Sequence, residues 1–141
     1  MSGNRQFVDT NVLVYAYDIS AGHKHSAAQA LTAELWNTRE GCLSIQVLQE
    51  FFVVRTRKIP TPLDASVAVD IVGDLARWHV HTPTASDVLA AFDIHGRTGA
   101  SFWDAMILRS AKELGCKTLH SEDLDSGQIY DGIEVRNPFA A

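Results

Sequence analysis

Short apolar runs alternate with amphipathic stretches of ten or more residues along this chain, and that alternation restricts the fold more than any other feature. A strand followed repeatedly by a long helix returns each new strand parallel to the last, which predicts a mainly parallel sheet with helices on both faces. Phe7-Val8 reads as a buried strand ending at Asp9, with Val12 to Tyr15 turning directly into a helix. Ala27, Ala28, Leu31, Leu35 and Trp36 recur at helical spacing between Lys24 and Thr38. Cys42 to Ser44 is a second strand, and Ile45 to Arg57 a helix that Pro60 stops. Thr61-Pro62-Leu63-Asp64 places a capping hydroxyl and a first-turn proline at the start of a helix through about Ala76. Trp78 to His81 is a strand, Thr84 opens a helix to about His95, and Ser101 opens another to Leu114. Thr118 to His120 and Ile133 to Val135 close the set of strands.

A chain of 141 residues, 46% hydrophobic and 21% charged, fits one domain over residues 1–141. At this size a single core buries about two-thirds of the unfolded surface, enough to stand without disulfides or a structural metal. Any metal is therefore expected to serve function. Cys42 and Cys116 form no CxxC pair and lie beside apolar residues, so both read as small buried hydrophobes. Met1 to Gln6 carries no apolar signal region, and no stretch is long enough to span a bilayer, so the expected location is the cytoplasm. The net charge of −5 argues against broad attraction to nucleic acid. It is compatible with a metal nuclease, because acids gathered at one site bind cations that reverse the local sign.

Open parallel sheets place their sites beyond the carboxyl ends of the strands. Asp9 follows the first strand and Asp123 follows the strand 118–120, so two acids converge on one edge. Phosphodiester hydrolysis needs an activated water, a stabilised developing charge and a neutralised leaving group. Two divalent cations about 4 Å apart supply all three. Mg²⁺ and Mn²⁺ take oxygen ligands, and carboxylates dispersed over separate elements suit them. Each acid also has a structural reading: Asp9 as a helix N-cap, Glu50 as a solvated helix edge, Asp104 as the third position of a cap begun by Ser101, Asp123 as a loop acid.

Four segments together resemble the PIN domain, in its VapC-like toxin branch: Phe7-Val-Asp-Thr-Asn-Val-Leu-Val-Tyr15, Ser44 to Glu50 with the Phe-Phe that follows, Ser101-Phe-Trp-Asp-Ala-Met-Ile107, and Ser121-Glu-Asp-Leu124. The resemblance covers essentially the whole chain. It implies an α/β/α sandwich with a mainly parallel central sheet, RNA endonuclease activity dependent on Mg²⁺ or Mn²⁺, a homodimer and often a protein antitoxin. It assigns the four acids to Asp9, Glu50, Asp104 and Asp123, with Asp9 and Asp104 on the principal metal. Asp125 remains an alternative to Asp123. Crowding of these acids is expected to raise at least one pKa. Arg97, Arg57 and Ser121 are candidates for substrate contact. His79 and His81 share a strand face, but no third zinc ligand follows at a sensible spacing. Two other readings stand: a catalytically silent PIN-fold interaction domain, and a haloacid-dehalogenase-type phosphatase. The latter needs a second Asp at position 11, which is Asn.

Overall fold

The computed structural model describes residues 4–57 and 60–140; the residues Met1 to Gly3, read above for a targeting signal, lie outside that range. Six short strands form one sheet: β1 (Gln6–Val8), β2 (Gly41–Ser44), β3 (His79–His81), β4 (Thr118–His120), β5 (Ile129–Tyr130) and β6 (Ile133–Arg136). Their order is β3-β2-β1-β4-β6-β5, parallel throughout except for the antiparallel pair β5 and β6. The flanking helices are α1 (Thr10–Ala16), α2 (His23–Thr38), α3 (Ile45–Arg57), α4 (Ala65–Leu75), α5 (Ala85–Thr98) and α6 (Phe102–Glu113). The mainly parallel α/β/α arrangement expected from the alternation is therefore present. Its core gathers Phe7, Leu13, Leu43, Phe51, Ile107 and Leu119 with Cys42 and Cys116, both of them buried free thiols.

The helix starts follow local chemistry. Asp9 stands in extended conformation before α1 and accepts the Thr10 amide at 2.7 Å. Ser44 ends β2 and accepts the Val47 amide at 3.3 Å, so α3 begins without a loop. The expected start at Thr61 is displaced: α4 begins at Ala65, after Asp64. The Thr61 carbonyl accepts Arg55 Nη1 at 3.2 Å and the Leu63 amide donates to the Arg55 carbonyl at 2.8 Å, which holds this segment against the end of α3. α5 runs three residues past His95, because Gly99 and not Gly96 takes the left-handed conformation that ends it, at φ +78°. β5 and a three-residue 3₁₀ turn at Ile19–Ala21 were too short for any periodicity to mark.

α5 and α6 are pinned by a polar network of which sequence spacing suggested only the Thr84–Asp87 capping contact. Asp87 is 4% exposed, accepts the Thr84 amide at 2.8 Å and Arg109 Nε at 2.9 Å, and lies 3.3 Å from His81 Nε2. The Thr84 amide, then Arg109, hold its carboxyl below the usual range. Arg109 also pairs with Glu113 at 3.2 Å. His81, Asp87 and Glu113 thus form a ligand-like group, but the Arg109 guanidinium already supplies its cation. His79 turns elsewhere, to the Arg39 carbonyl. Arg109→Met is expected to lower unfolding stability by about 2–3 kcal/mol in urea melts. That is less than a fully buried pair would cost, because the Arg109 side chain is 20% exposed. A loss below about 0.5 kcal/mol would mean that solvent screens the network.

Candidate active site

β1 and β4 are parallel neighbours, so the residues that follow them leave the sheet at the same edge. Asp9 continues from Val8, with its amide donating to the His120 carbonyl at 2.9 Å, and Ser121 to Asp123 continue from His120. Asp104 enters from the first turn of α6. One carboxylate oxygen from each of Asp9, Asp104 and Asp123 lies within 4.8 Å of the others. These three acids and Glu50 line a cleft of about 310 Å³, walled also by Thr10, Asn11 and Trp103.

The acids are held unequally. Asp9 is 6% exposed; one of its oxygens accepts the Thr10 amide and the other the Ser121 hydroxyl at 2.9 Å. Ser121, fully buried, also accepts the Asp123 amide at 3.1 Å, so one hydroxyl ties two acids together. Asp123 is exposed and accepts Asn11 Nδ2 at 3.0 Å. Ser101 caps α6 by accepting the Asp104 amide at 3.1 Å. The Asp104 carboxylate makes no return bond to Ser101 among the described residues and stands instead with Asp9 and Asp123. Glu50 is exposed at the cleft wall, outside the group of three, and accepts Thr10 Oγ1 at 2.9 Å and Gln46 Nε2 at 3.4 Å.

Burial pushes the Asp9 carboxyl up to about 6, with its two hydrogen bonds opposing and the charges of Asp123 and Asp104 adding a lesser push. Burial, then Asp104 and Glu122, raises Asp123 as well. The crowding anticipated above therefore acts, though desolvation leads. A buried carboxylate facing two more acids is an uncompensated negative site. Its donors are all oxygen, which fits a hard divalent cation.

The remaining candidates fall elsewhere. Arg97 is clamped between Asp93 at 2.9 Å and Asp131 at 3.0 Å, beside a different cavity that Asp125 also lines. Arg57 is exposed at the end of α3 and does not line the acidic cleft. The Ser121 hydroxyl is committed to Asp9 and Asp123. Sequence reasoning passed over Thr10, Asn11 and Gln46, although the first two directly follow Asp9 and Gln46 precedes Glu50 by one helical turn. It also passed over a support behind Asp123. Glu122 accepts Tyr15 Oη at 2.8 Å and Lys24 Nζ at 2.9 Å, and Lys24 lies over the rings of Tyr15 and Phe139.

No curated protein sequence is significantly similar to the chain. Among solved structures, a chain of Mycobacterium tuberculosis VapC20, described as a sarcin-ricin loop cleaving toxin, superposes with a TM-score of 0.66 at 22% identity, covering 85% of this chain and 91% of that one. A chain of DNA-bound VapBC from Salmonella typhimurium superposes with a TM-score of 0.65 at 18% identity, covering 96% and 98%. At these identities the likeness is one of fold. The PIN-domain profile matches residues 7–131, a span that runs from the strand before Asp9 past the loop of Asp123, and on that match this chain belongs to the PIN-domain family.

Proposed function

We propose that the chain is an endoribonuclease dependent on Mg²⁺ or Mn²⁺ and the toxin of a type II toxin–antitoxin pair. The observation that carries the reading is the buried Asp9 carboxylate facing Asp104 and Asp123 within 4.8 Å. Both structural neighbours bear VapC or VapBC names, one of them described as a sarcin-ricin loop cleaving toxin, and this supports the choice of RNA. Asp9, Asp104 and Asp123 are the residues that would hold the ion, with Glu50 completing the set from the cleft wall. A divalent ion there lowers the pKa of a water and neutralises phosphate charge. The chain's own part is orientation. Thr10 and Ser121 fix both oxygens of Asp9, and Asn11 fixes Asp123. Glu50, tethered through one oxygen, would accept a proton from a water in the cleft. The exposed Trp103 ring on the wall offers a face on which a base can stack.

The partners belong to the same proposal. Leu89 and Phe92 on α5, and Val53 and Val69 on α3 and α4, are exposed apolar side chains that a second copy or an antitoxin could cover. A cytoplasmic location is proposed with them. No helix among the described residues is long and apolar enough to cross a membrane.

The test is cleavage of single-stranded and structured RNA by purified protein with Mg²⁺, with Mn²⁺ and with excess EDTA. Cleavage is expected only with metal. Undiminished cleavage in chelator rejects the metal site, and no cleavage under any metal condition favours the silent interaction domain.

A further inference from the structure

The opposite edge of the sheet holds a second cavity, of about 320 Å³, where the amino ends of β2 and β3 meet the carboxyl ends of α2 and α4. Its wall is built from Trp36, Trp78, Arg39, Arg77, His79 and Gly41. The volume is at the lower end of the range for small-ligand sites.

Three features set this cavity apart from an ordinary surface hollow. The two indoles meet edge to face, with centroids 5.5 Å apart and planes at 79°. Trp78 is seated directly on Gly41: a Cβ at that position would come within 2.4 Å of the ring, so only glycine admits this placement.

The cations form the third feature. Arg97, Arg109 and Arg136 are each spent on carboxylates, and Arg5 and Arg55 on carbonyls. Arg39 and Arg77 are exposed, and neither has a carboxylate partner among the described residues. Each follows a helix carboxyl end, where a cation is favoured in any protein. Among the described residues, however, neither guanidinium is spent on a helix carbonyl or laid over an indole. Two free guanidiniums beside two tryptophans, in a chain of net charge −5, are matched to a ligand that is both flat and anionic. Guanidiniums bind phosphate through paired donors, and indoles stack on any base.

We infer that this cavity binds a nucleotide, its base against Trp36 and Trp78 and its phosphate on Arg39 and Arg77. The nucleotide is either free or one unit of an RNA chain, and the site is separate from the acidic cleft, at the other end of the same strands.

The chain has three tryptophans, and Trp103 is at the acidic cleft, so a Trp103→Phe background leaves Trp36 and Trp78 as the only indole reporters. Fluorescence is titrated in EDTA with AMP, adenosine, inorganic phosphate and a ten-nucleotide RNA. Because no metal is present, the result does not depend on the nuclease reading. Saturable quenching by AMP is expected, with adenosine and phosphate each about tenfold weaker or more. Arg39→Gln with Arg77→Gln should weaken AMP by about tenfold or more at an unchanged melting temperature. RNA binding tighter than AMP, and lost in the same double variant, would assign the site to an RNA chain. AMP binding without RNA binding would assign it to a free nucleotide. The inference is overturned if neither AMP nor RNA gives saturable quenching, if the double variant binds both as the parent does, or if phosphate alone matches AMP.

Discussion

Asp9→Asn and Asp104→Asn are each expected to reduce metal-dependent RNA cleavage by well over about a hundredfold, since residues that merely orient metal ligands already cost 10–100-fold. Both substitutions remove a charge while conserving volume. Asn at position 9 can still accept the Thr10 amide, and Asn at position 104 leaves the Ser101 hydroxyl bonded to the backbone, so the folded structure should survive. Ser121→Ala belongs to the milder class, because it frees the Asp9 and Asp123 segments without removing a ligand charge. The informative contrast is between two neighbouring acids. Asp123→Asn should follow the severe pattern and Asp125→Asn should cleave nearly as the parent does, since Asp125 lines the cavity of Arg97 and Tyr130 and not the acidic cleft. Equal losses at both positions would move the fourth acid to Asp125. Near-normal turnover by Asp9→Asn would remove the centre of the proposed site.

Metal-free Asp9→Asn should be more stable than the parent above pH 6. Native Asp9 titrates at about 6 against an ordinary 3.8. Between those values the folded state holds a proton that the unfolded state has lost. Stability from this residue is full below about pH 4, falls as pH rises toward 6, and stays low beyond it, a cost on the order of 2–3 kcal/mol. His120 works in the opposite direction. Burial, then Arg136, pushes its imidazole down to about 4 from 6.5. Its Nε2 lies 2.6 Å from Gln6 Oε1, which accepts the one ring proton, and Nδ1 is buried without a partner. Stability from His120 is therefore lost as pH falls from 6.5 to 4. The two slopes nearly cancel in the parent, whose urea midpoint should change little across that window. In Asp9→Asn the His120 slope loses its main opponent and is countered only by the raised Asp123, so the midpoint should drop on acidification. Mn²⁺ at a hundredfold excess over its Kd should add about 2.7 kcal/mol to the parent and little to the variant. If Asp9→Asn were less stable than the parent at pH 7.5 and still responded fully to Mn²⁺, Asp9 would be a helix cap and no more.

What the sequence disclosed follows the range over which spacing carries information. Asp9 and Asp123 were placed on one edge by their positions after two strands, and Ser101 to Asp104 by a capping interval; both are local patterns that a parallel sheet converts into position. Contacts between distant elements left no such trace. Asp87 and Arg109 are 22 residues apart and Tyr15 and Glu122 are 107 apart, and nothing in either neighbourhood names the other. Arg97 illustrates the same limit, since it stood among the candidates for substrate contact while Asp131, far along the chain, claims its guanidinium. The Thr61 start failed for a related reason. A capping sequence is sufficient in isolation, but here the end of α3 competes for the same backbone groups.

The Lys24 contact with Glu122 also has an electrostatic consequence at a distance. Glu122 stands beside Asp123 and adds to the field that opposes its ionisation. With Lys24 paired to it at 2.9 Å, the two charges form a local dipole whose influence on the cleft decays faster than that of a lone carboxylate. Neutralising Lys24, by substitution with Met or by acetylation of the amine, would leave Glu122 as a bare negative charge next to Asp123 and, under the proposed function, in the field that an anionic chain would meet. Affinity for phosphate would then fall through a residue that touches neither the acids nor the substrate, and the loss would shrink as added salt shortened the reach of that charge.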